Sequence, residues 1–321
     1  MSTVSKDSYH PDLTSSIRAG RAVTWVARRA WALKAVNRFT MKPLVGNTID
    51  GLDNDEIFIP STTTPGHTIR ARVYKPLNAE GPLPAMIYLH GGGYQVGVPE
   101  QAHAFYEDLI GRRDVAIIAP AYRLSLDGHP YPAGLDDSFD TINYIKANAA
   151  QLGVRSDKLI TGGHSGGGGL SAALTHRVID TGTIDIAFQM PIYPMLDHRM
   201  QTASSQMEGS AIWDRHTNAG AWERYLGHLG ANVGEYASPA LRTNLSGLPP
   251  TISWVGTVEP FKDETVAYID ALDAAGVATK FRLFEGGYHG FEIVAPAAGI
   301  SKEAIEFQGD AFVEFYDRYI E

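Results

Sequence analysis

Lys158-Leu159-Ile160-Thr161-Gly162-Gly163-His164-Ser165-Gly166-Gly167 decides how this chain is read. An apolar run of strand length enters a glycine-rich turn, and the helical pattern Leu170 to Ile179 follows at once. Within the turn, Gly163-x-Ser165-x-Gly167 sets a serine between glycines two residues to either side. A serine lifted above a sheet on so sharp a turn needs neighbours without side chains, because strand and helix must nearly touch. The competing reading is a phosphate-binding loop at a helix N-terminus. No Walker lysine follows and no G-x-G-x-x-G is present, which favours the serine reading.

A serine hydroxyl becomes a useful nucleophile only with a base to take its proton and donors to hold the oxyanion it creates. The donors are supplied by His90-Gly91-Gly92-Gly93-Tyr94, directly after the apolar run Ala85 to Leu89. Successive glycines let backbone N–H groups turn toward one point, so Gly91 and Gly92 are the expected donors, with Gly166 following the serine. Eleven histidines compete for the base. His289, in Gly286-Gly287-Tyr288-His289-Gly290-Phe291 after the last strand-like run, fits the chain order serine, acid, histidine. His164 should point away from the turn that exposes Ser165, and His90 should brace its own loop. The acid belongs just beyond the run Thr251 to Val255, where Glu259 stands; Asp263 and Asp197 are the alternatives.

Outward from these motifs, short apolar runs at 56–60, 68–74, 85–89, 116–120, 158–161, 187–192, 251–255 and 280–284 read as strands. The first two suggest an antiparallel hairpin. The others are apolar throughout, as parallel strands covered on both faces must be. Helical periodicity at 102–112, 134–151, 165–180, 264–275 and 301–320 supplies the crossovers. The fold class is therefore α/β, a mostly parallel sheet flanked by helices. The segment before residue 50 and the long stretch at about 196–246 fall outside this alternation and read as embellishments over the sheet. The latter carries Met195, Met200, Met207, Trp213, Trp222 and Tyr225 in or beside it, each of which reads first as core packing.

The 321 residues carry a net charge of −9 and no cysteine, which argues against nucleic acid as a partner and excludes disulfides and thiol chemistry. No metal or cofactor is implied. The start lacks a secretory pattern and no apolar run is long enough to span a bilayer, so a cytoplasmic protein is expected, without stable membrane insertion. The charge is unevenly divided: residues 1–50 are +5 and the remainder −14. One helix over 15–34 would gather Arg18, Arg21, Arg28 and Arg29 on one arc, beside an apolar arc of Val23, Val26, Ala30 and Leu33. Such a helix suits a membrane-surface anchor, a transit peptide or, most simply, packing on the acidic body. In the last case charge would help hold it, and high salt should loosen it.

These motifs, with Tyr122-Arg123-Leu124, Tyr131-Pro132-Ala133 and Leu248-Pro249-Pro250, resemble the hormone-sensitive-lipase branch of the α/β-hydrolases, the bacterial family IV esterases. The resemblance runs from about Thr68 to the C-terminus. It implies an eight-stranded α/β-hydrolase sheet with a helical cap: residues 1–50 as an N-terminal cap segment, 51–321 as the catalytic domain, and the insertion at about 196–246 completing the cap. It also implies a carboxylesterase acting on short- to medium-chain esters through Ser165, His289 and Glu259. Two departures stand out in the elbow: His164 replaces the usual acidic residue and Gly166 the usual alanine. A third is Glu259 in place of the commoner aspartate. A lactonase on the same triad is the enzymatic alternative, and a non-catalytic ligand-binding protein the other. A homodimer through the edge strand 280–284 is a further expectation.

Overall fold

The computed structural model describes residues 4–321. Eight strands form one sheet: β1 (Leu52–Pro60), β2 (Thr68–Pro76), β3 (Leu83–Leu89), β4 (Ala116–Pro120), β5 (Val154–His164), β6 (Ile186–Ile192), β7 (Thr251–Val258) and β8 (Thr279–Tyr288). Their spatial order is β1-β2-β4-β3-β5-β6-β7-β8. β2 pairs antiparallel with both β1 and β4, and all other pairs are parallel. Each strand expected from the sequence is found, extended by a few residues where polar positions hid its ends. β8 lies at the sheet edge, the place expected for the 280–284 run.

Among the described residues, ten α-helices accompany the sheet: α1 (Ile17–Ala27), α2 (Ala30–Val36), α3 (His103–Arg112), α4 (Ala133–Ala147), α5 (Ala149–Leu152), α6 (Gly166–Thr181), α7 (Arg215–Leu226), α8 (Lys262–Ala274), α9 (Phe291–Val294) and α10 (Gly299–Tyr319). Strand side chains alternate between two cores. On β3, Ala85, Ile87 and Leu89 join the core containing Leu135 and Ile142 of α4 and Leu170 and Leu174 of α6. Met86 and Tyr88 join the one containing Tyr106 of α3 and Phe312 of α10. Both faces of the strand are therefore covered, which explains why the run is apolar at every position.

The single helix expected over 15–34 is not formed. α1 stops at Ala27, Arg29 is extended (φ −119°, ψ 114°), and α2 starts at Ala30. The reason is tertiary. α1 lies on the insertion, where Gly20 O accepts from Ile212 N–H at 2.9 Å and Thr24 Oγ1 donates to Ser210 O at 3.0 Å. α2 instead packs Leu33 with Ala27 against Leu126. One straight helix cannot meet both surfaces, and packing overrides helical continuity. The buried face of α1 is Ile17, Gly20, Thr24 and Ala27; of the expected apolar arc, Val23 is 47% exposed, whereas Leu33 is buried with Ala30 packed beside it.

The insertion between β6 and β7 carries α7 and short 3₁₀ turns. Its part at 208–214 touches the N-terminal segment, which also reaches the β8 end: His10 N–H donates to Gly286 O at 2.9 Å, and Ser16 Oγ meets Tyr288 OH at 2.7 Å.

Candidate active site

The site forms at the carboxyl ends of β3, β5, β7 and β8. In register, Leu89 of β3 faces Gly163 of β5, and His164 faces Ile192 of β6. β5 then turns directly into α6 through Ser165, at φ 58° and ψ −123°. Such a conformation strains any residue with a Cβ and persists only where surroundings enforce it. Three hydrogen bonds do so here: Ser165 N–H to Ile192 O at 3.0 Å, and Gly169 and Met195 N–H to Ser165 O at 3.0 and 3.1 Å. The flanking glycines are obligatory. A Cβ on Gly163 would stand 2.4 Å from Gly167 O, and one on Gly167 2.0 Å from Leu89 O. Among the described residues, Tyr94, Ser165, Tyr193, Met200 and Ile212 are the non-glycine positions with positive φ.

His289 sits just past β8, with Gly290 beyond it at φ 68°. Its Nε2 lies 2.8 Å from Ser165 Oγ and its Nδ1 2.6 Å from Glu259 Oε2. Glu259 is wholly buried, and its Oε1 accepts from Gly256 N–H at 3.2 Å. That carboxylate fixes the tautomer: Nδ1–H donates to Glu259, leaving Nε2 to accept from the serine hydroxyl. Tyr193, Phe261 and Trp213 surround the imidazole at 4.9, 5.0 and 6.2 Å between ring centres. The two alternative acids are engaged elsewhere. Asp263 accepts from Ser204 N–H at 2.7 Å beside Lys262, and Asp197 holds Arg199 in a two-pronged pair. The extra methylene of Glu259 is accommodated by a carboxylate that folds back onto its own strand end at Gly256.

The glycine run packs directly on the elbow. Gly92 and Gly93 have φ of 128° and 60°, and Gly92 O accepts the N–H groups of Gln95 and Val96. A Cβ on Gly166 would lie 2.8 Å from the nitrogens of both Gly93 and Tyr94. The resemblance predicts alanine at 166; glycine is present because this loop sits too close for a methyl group. Of the three glycines in the run, Gly93 is the one whose amide nitrogen stands against Gly166, together with that of Tyr94.

Two buried histidines brace this geometry without charge. His90 stacks on Tyr122 at 4.3 Å and bonds Gly91 O through Nδ1 at 2.9 Å; burial pushes it down to about 4. His164 points away from the serine, sharing hydrogen bonds with Tyr88 OH at 2.8 Å and Gln308 Oε1 at 3.2 Å. Burial pushes it to about 3, so it is neutral at ordinary pH. Glu292, one turn after His289 and unremarked in the sequence, accepts from Tyr193 OH; burial raises it to about 7. Trp213 roofs the site, its ring against the Gly93 Cα. Trp222 and Tyr225 pack on Tyr94 at 5.6 and 4.1 Å, and Met195 is fully buried.

A strained serine, an oriented imidazole and a glycine run packed against them together suit attack on an electron-poor carbonyl carbon. Comparison with known proteins agrees. The family model for the alpha/beta hydrolase fold matches residues 86–293. The chain belongs to this family. This hydrolase is 32% identical over 246 residues to carboxylesterase NlhH of Mycobacterium tuberculosis, covering 72% of this chain and 74% of that protein. Ethyl acetate hydrolase of Pseudomonas putida is 30% identical, with 72% and 73% covered. Among solved structures, a bacterial heroin esterase superimposes with a TM-score of 0.86 at 28% identity, over 97% of this chain and 99% of that one. Its motifs place the hydrolase in the hormone-sensitive-lipase-like branch.

Proposed function

We propose that this hydrolase is a serine carboxylesterase for short- to medium-chain carboxylic esters, with Ser165 as nucleophile, His289 as general base and Glu259 as the acid that orients it. The observation carrying this reading is the continuous line from Ser165 Oγ through His289 to Glu259, with links of 2.8 and 2.6 Å, on an elbow whose backbone is strained at the serine. Ser165 Oγ bonds to the ester carbonyl carbon as its proton passes to Nε2. The oxyanion is received by the amides of Gly166 and of the run Gly91, Gly92 and Gly93. The carbon–oxygen bond to the alcohol then breaks, and His289 returns the proton to the departing alkoxide. Water, deprotonated by the same nitrogen, releases the acid from the acyl-enzyme. Glu259 stabilises the imidazolium in both halves without itself taking the proton.

The expected cap, residues 1–50 with the insertion at about 196–246, of which residues 1–3 lie outside the described residues, covers this site: Trp213 stands above the glycine run and α1 holds the segment that carries it. Ester hydrolysis by the relatives named above, and the small substrate in one of their names, support a small acyl group. The test is a series of p-nitrophenyl esters from acetate to decanoate. Wild type should turn over the shorter members. Ser165→Ala should lose at least about 10⁴-fold in kcat, and Glu259→Gln about 10³- to 10⁴-fold, with Asp263→Asn within a few-fold of wild type. Equal turnover by Ser165→Ala overturns the proposal, and a larger loss for Asp263→Asn than for Glu259→Gln reassigns the acid. A fluorophosphonate should label wild type and not Ser165→Ala; a binding protein with an unactivated serine would resist labelling.

A further inference from the structure

Between Leu13 and Ile49 the chain has seven Lys and Arg residues and no Asp or Glu. Only Arg28 of these seven enters an ion pair among the described residues, with Asp214. The same stretch holds Trp25, Trp31 and Phe39, exposed by 53%, 68% and 72%. Large apolar side chains at that exposure are costly, and three aromatic ones close together in sequence ask for an explanation.

The arrangement is ordered. α2 continues through a wider turn at Asn37–Met41, and its buried side consists of Ala32, Leu33 and Asn37. Trp31, Lys34, Arg38 and Lys42, spaced by three and four residues, fall on the other side, with Phe39 beside Arg38. The guanidinium of Arg38 lies 5.5 Å from the Phe39 ring, and that of Arg29 stacks 3.8 Å over Trp25 at the end of α1. Aromatic rings alternating with long cationic side chains on the exposed side of these helices match the boundary between lipid headgroups and acyl chains, where rings sink and cations reach the phosphates. No helix of the described residues is long and apolar enough to cross a membrane, so contact would be peripheral.

The geometry points to a docking face for an anionic lipid surface, made by Trp25, Trp31, Lys34, Arg38, Phe39 and Lys42. Charge selects this occupant. A second copy bringing the same face would oppose like charge with like charge, whereas phosphodiester headgroups neutralise it. The −14 body is repelled by such a surface, so the molecule is oriented with this face down. The other side of α1 bonds the segment leading to Trp213, which places the docking face one helix away from the roof of the active site.

The test is sedimentation with vesicles, using Ser165→Ala so that no lipid is consumed and the outcome is independent of the esterase reading. The protein should bind phosphatidylcholine vesicles containing 30% phosphatidylglycerol at low salt, with a blue shift of tryptophan emission, and bind pure phosphatidylcholine weakly. Reversing Lys34, Arg38 and Lys42 to Glu should lower partitioning about a hundredfold, as should 0.5 M salt in part. Trp31→Ala with Phe39→Ala should lower it about tenfold without changing the salt dependence. Circular dichroism and the thermal midpoint establish that each variant is folded. No binding by the parent at low salt, or equal binding by folded variants, overturns the proposal. So does a dimer by light scattering that the charge reversal converts to monomer, which would give the face to a second copy.

Discussion

The carboxyl end of the sheet and the N-terminal segment are both built around glycines in close contact, yet they obey different rules. At the elbow the neighbours are backbone: a Cβ on Gly167 meets Leu89 O at 2.0 Å and His90 O at 2.4 Å, and nothing there can rotate aside. On α1 the neighbour is a side chain, since a Cβ on Gly20 meets Ala211 Cβ at 2.8 Å. The catalytic end is held by constraints local to the turn. The N-terminal segment is held by a surface almost two hundred residues away in sequence.

Alanine substitutions separate the two. Gly167→Ala should be the most damaging change, costing on the order of 3–5 kcal/mol and abolishing activity, because strand, glycine run and helix must all separate. Gly166→Ala should lose about tenfold in kcat/KM on p-nitrophenyl acetate while moving the melting temperature little, because its Cβ would press on the amides of the loop at Gly93 and Tyr94, which can shift without parting strand from helix. Gly20→Ala should cost about 1–2 kcal/mol and hasten limited proteolysis within residues 40–50, with the sheet remaining folded. If Gly20→Ala instead lowers the global melting transition as far as Gly167→Ala, the N-terminal segment is part of the cooperative core and the contrast fails.

The same contrast explains what could be read in advance. Gly163, Ser165, Gly167, the run at 90–94 and His289 were legible because each answers a demand of the backbone that few residue types meet. Strand positions were legible because both faces of the sheet are buried. The break at Arg28 and Arg29 was not, since helical periodicity continues through it and only Ala211, Ser210 and Leu126 dictate the bend. Nor was Glu292: a glutamate one turn beyond a histidine looks like any solvated helix residue until Tyr193 is seen to cover it.

Buried titratable groups at the catalytic end make a second contrast measurable as pH dependence. Burial holds His90 at about 4 and His164 at about 3; His176, farther along α6 beside Tyr268, is likewise held at about 3. Their folded values lie below the unfolded 6.5, so the unfolded chain binds more protons under acid. Stability is lost as pH falls from 6.5, by about 1.4 kcal/mol per pH unit for each histidine. Glu292 has the opposite sign. Raised from 4.5 to about 7 by burial, it favours the fold while protonated, and that contribution is lost as pH rises from 4.5 to 7. Glutamine cannot ionise, so Glu292→Gln should make the acid limb steeper by about 1.4 kcal/mol per unit across this window. Chemical denaturation between pH 4.5 and 8 reads this directly, and parallel limbs for both proteins would show that Glu292 ionises alike in folded and unfolded chains.

The smallest effect concerns charge at the N-terminal segment. A +5 segment on a −14 body invites the view that salt should release it. The contacts say otherwise. Arg28 with Asp214 is the one ion pair joining residues 4–50 to the rest among the described residues. Asp214 is buried and also accepts from Thr217 N–H at 3.1 Å, so it is poorly screened and keeps a partner if Arg28 is lost. The other ties are uncharged on at least one side, among them Tyr9 OH to Gly209 O at 3.3 Å, His10 N–H to Gly286 O at 2.9 Å, Thr24 Oγ1 to Ser210 O at 3.0 Å, and Gly97 N–H to Asn37 Oδ1 at 3.2 Å. Leu13 and Ile17 are sealed in the core beneath them. Arg28→Ala should therefore cost about 1 kcal/mol and speed cleavage within residues 40–50 about fivefold. Raising salt from 0.1 to 1 M should speed it less than about twofold in wild type. If salt alone matches Arg28→Ala, long-range attraction between segment and body is the anchor, and the packing beneath α1 is secondary to it.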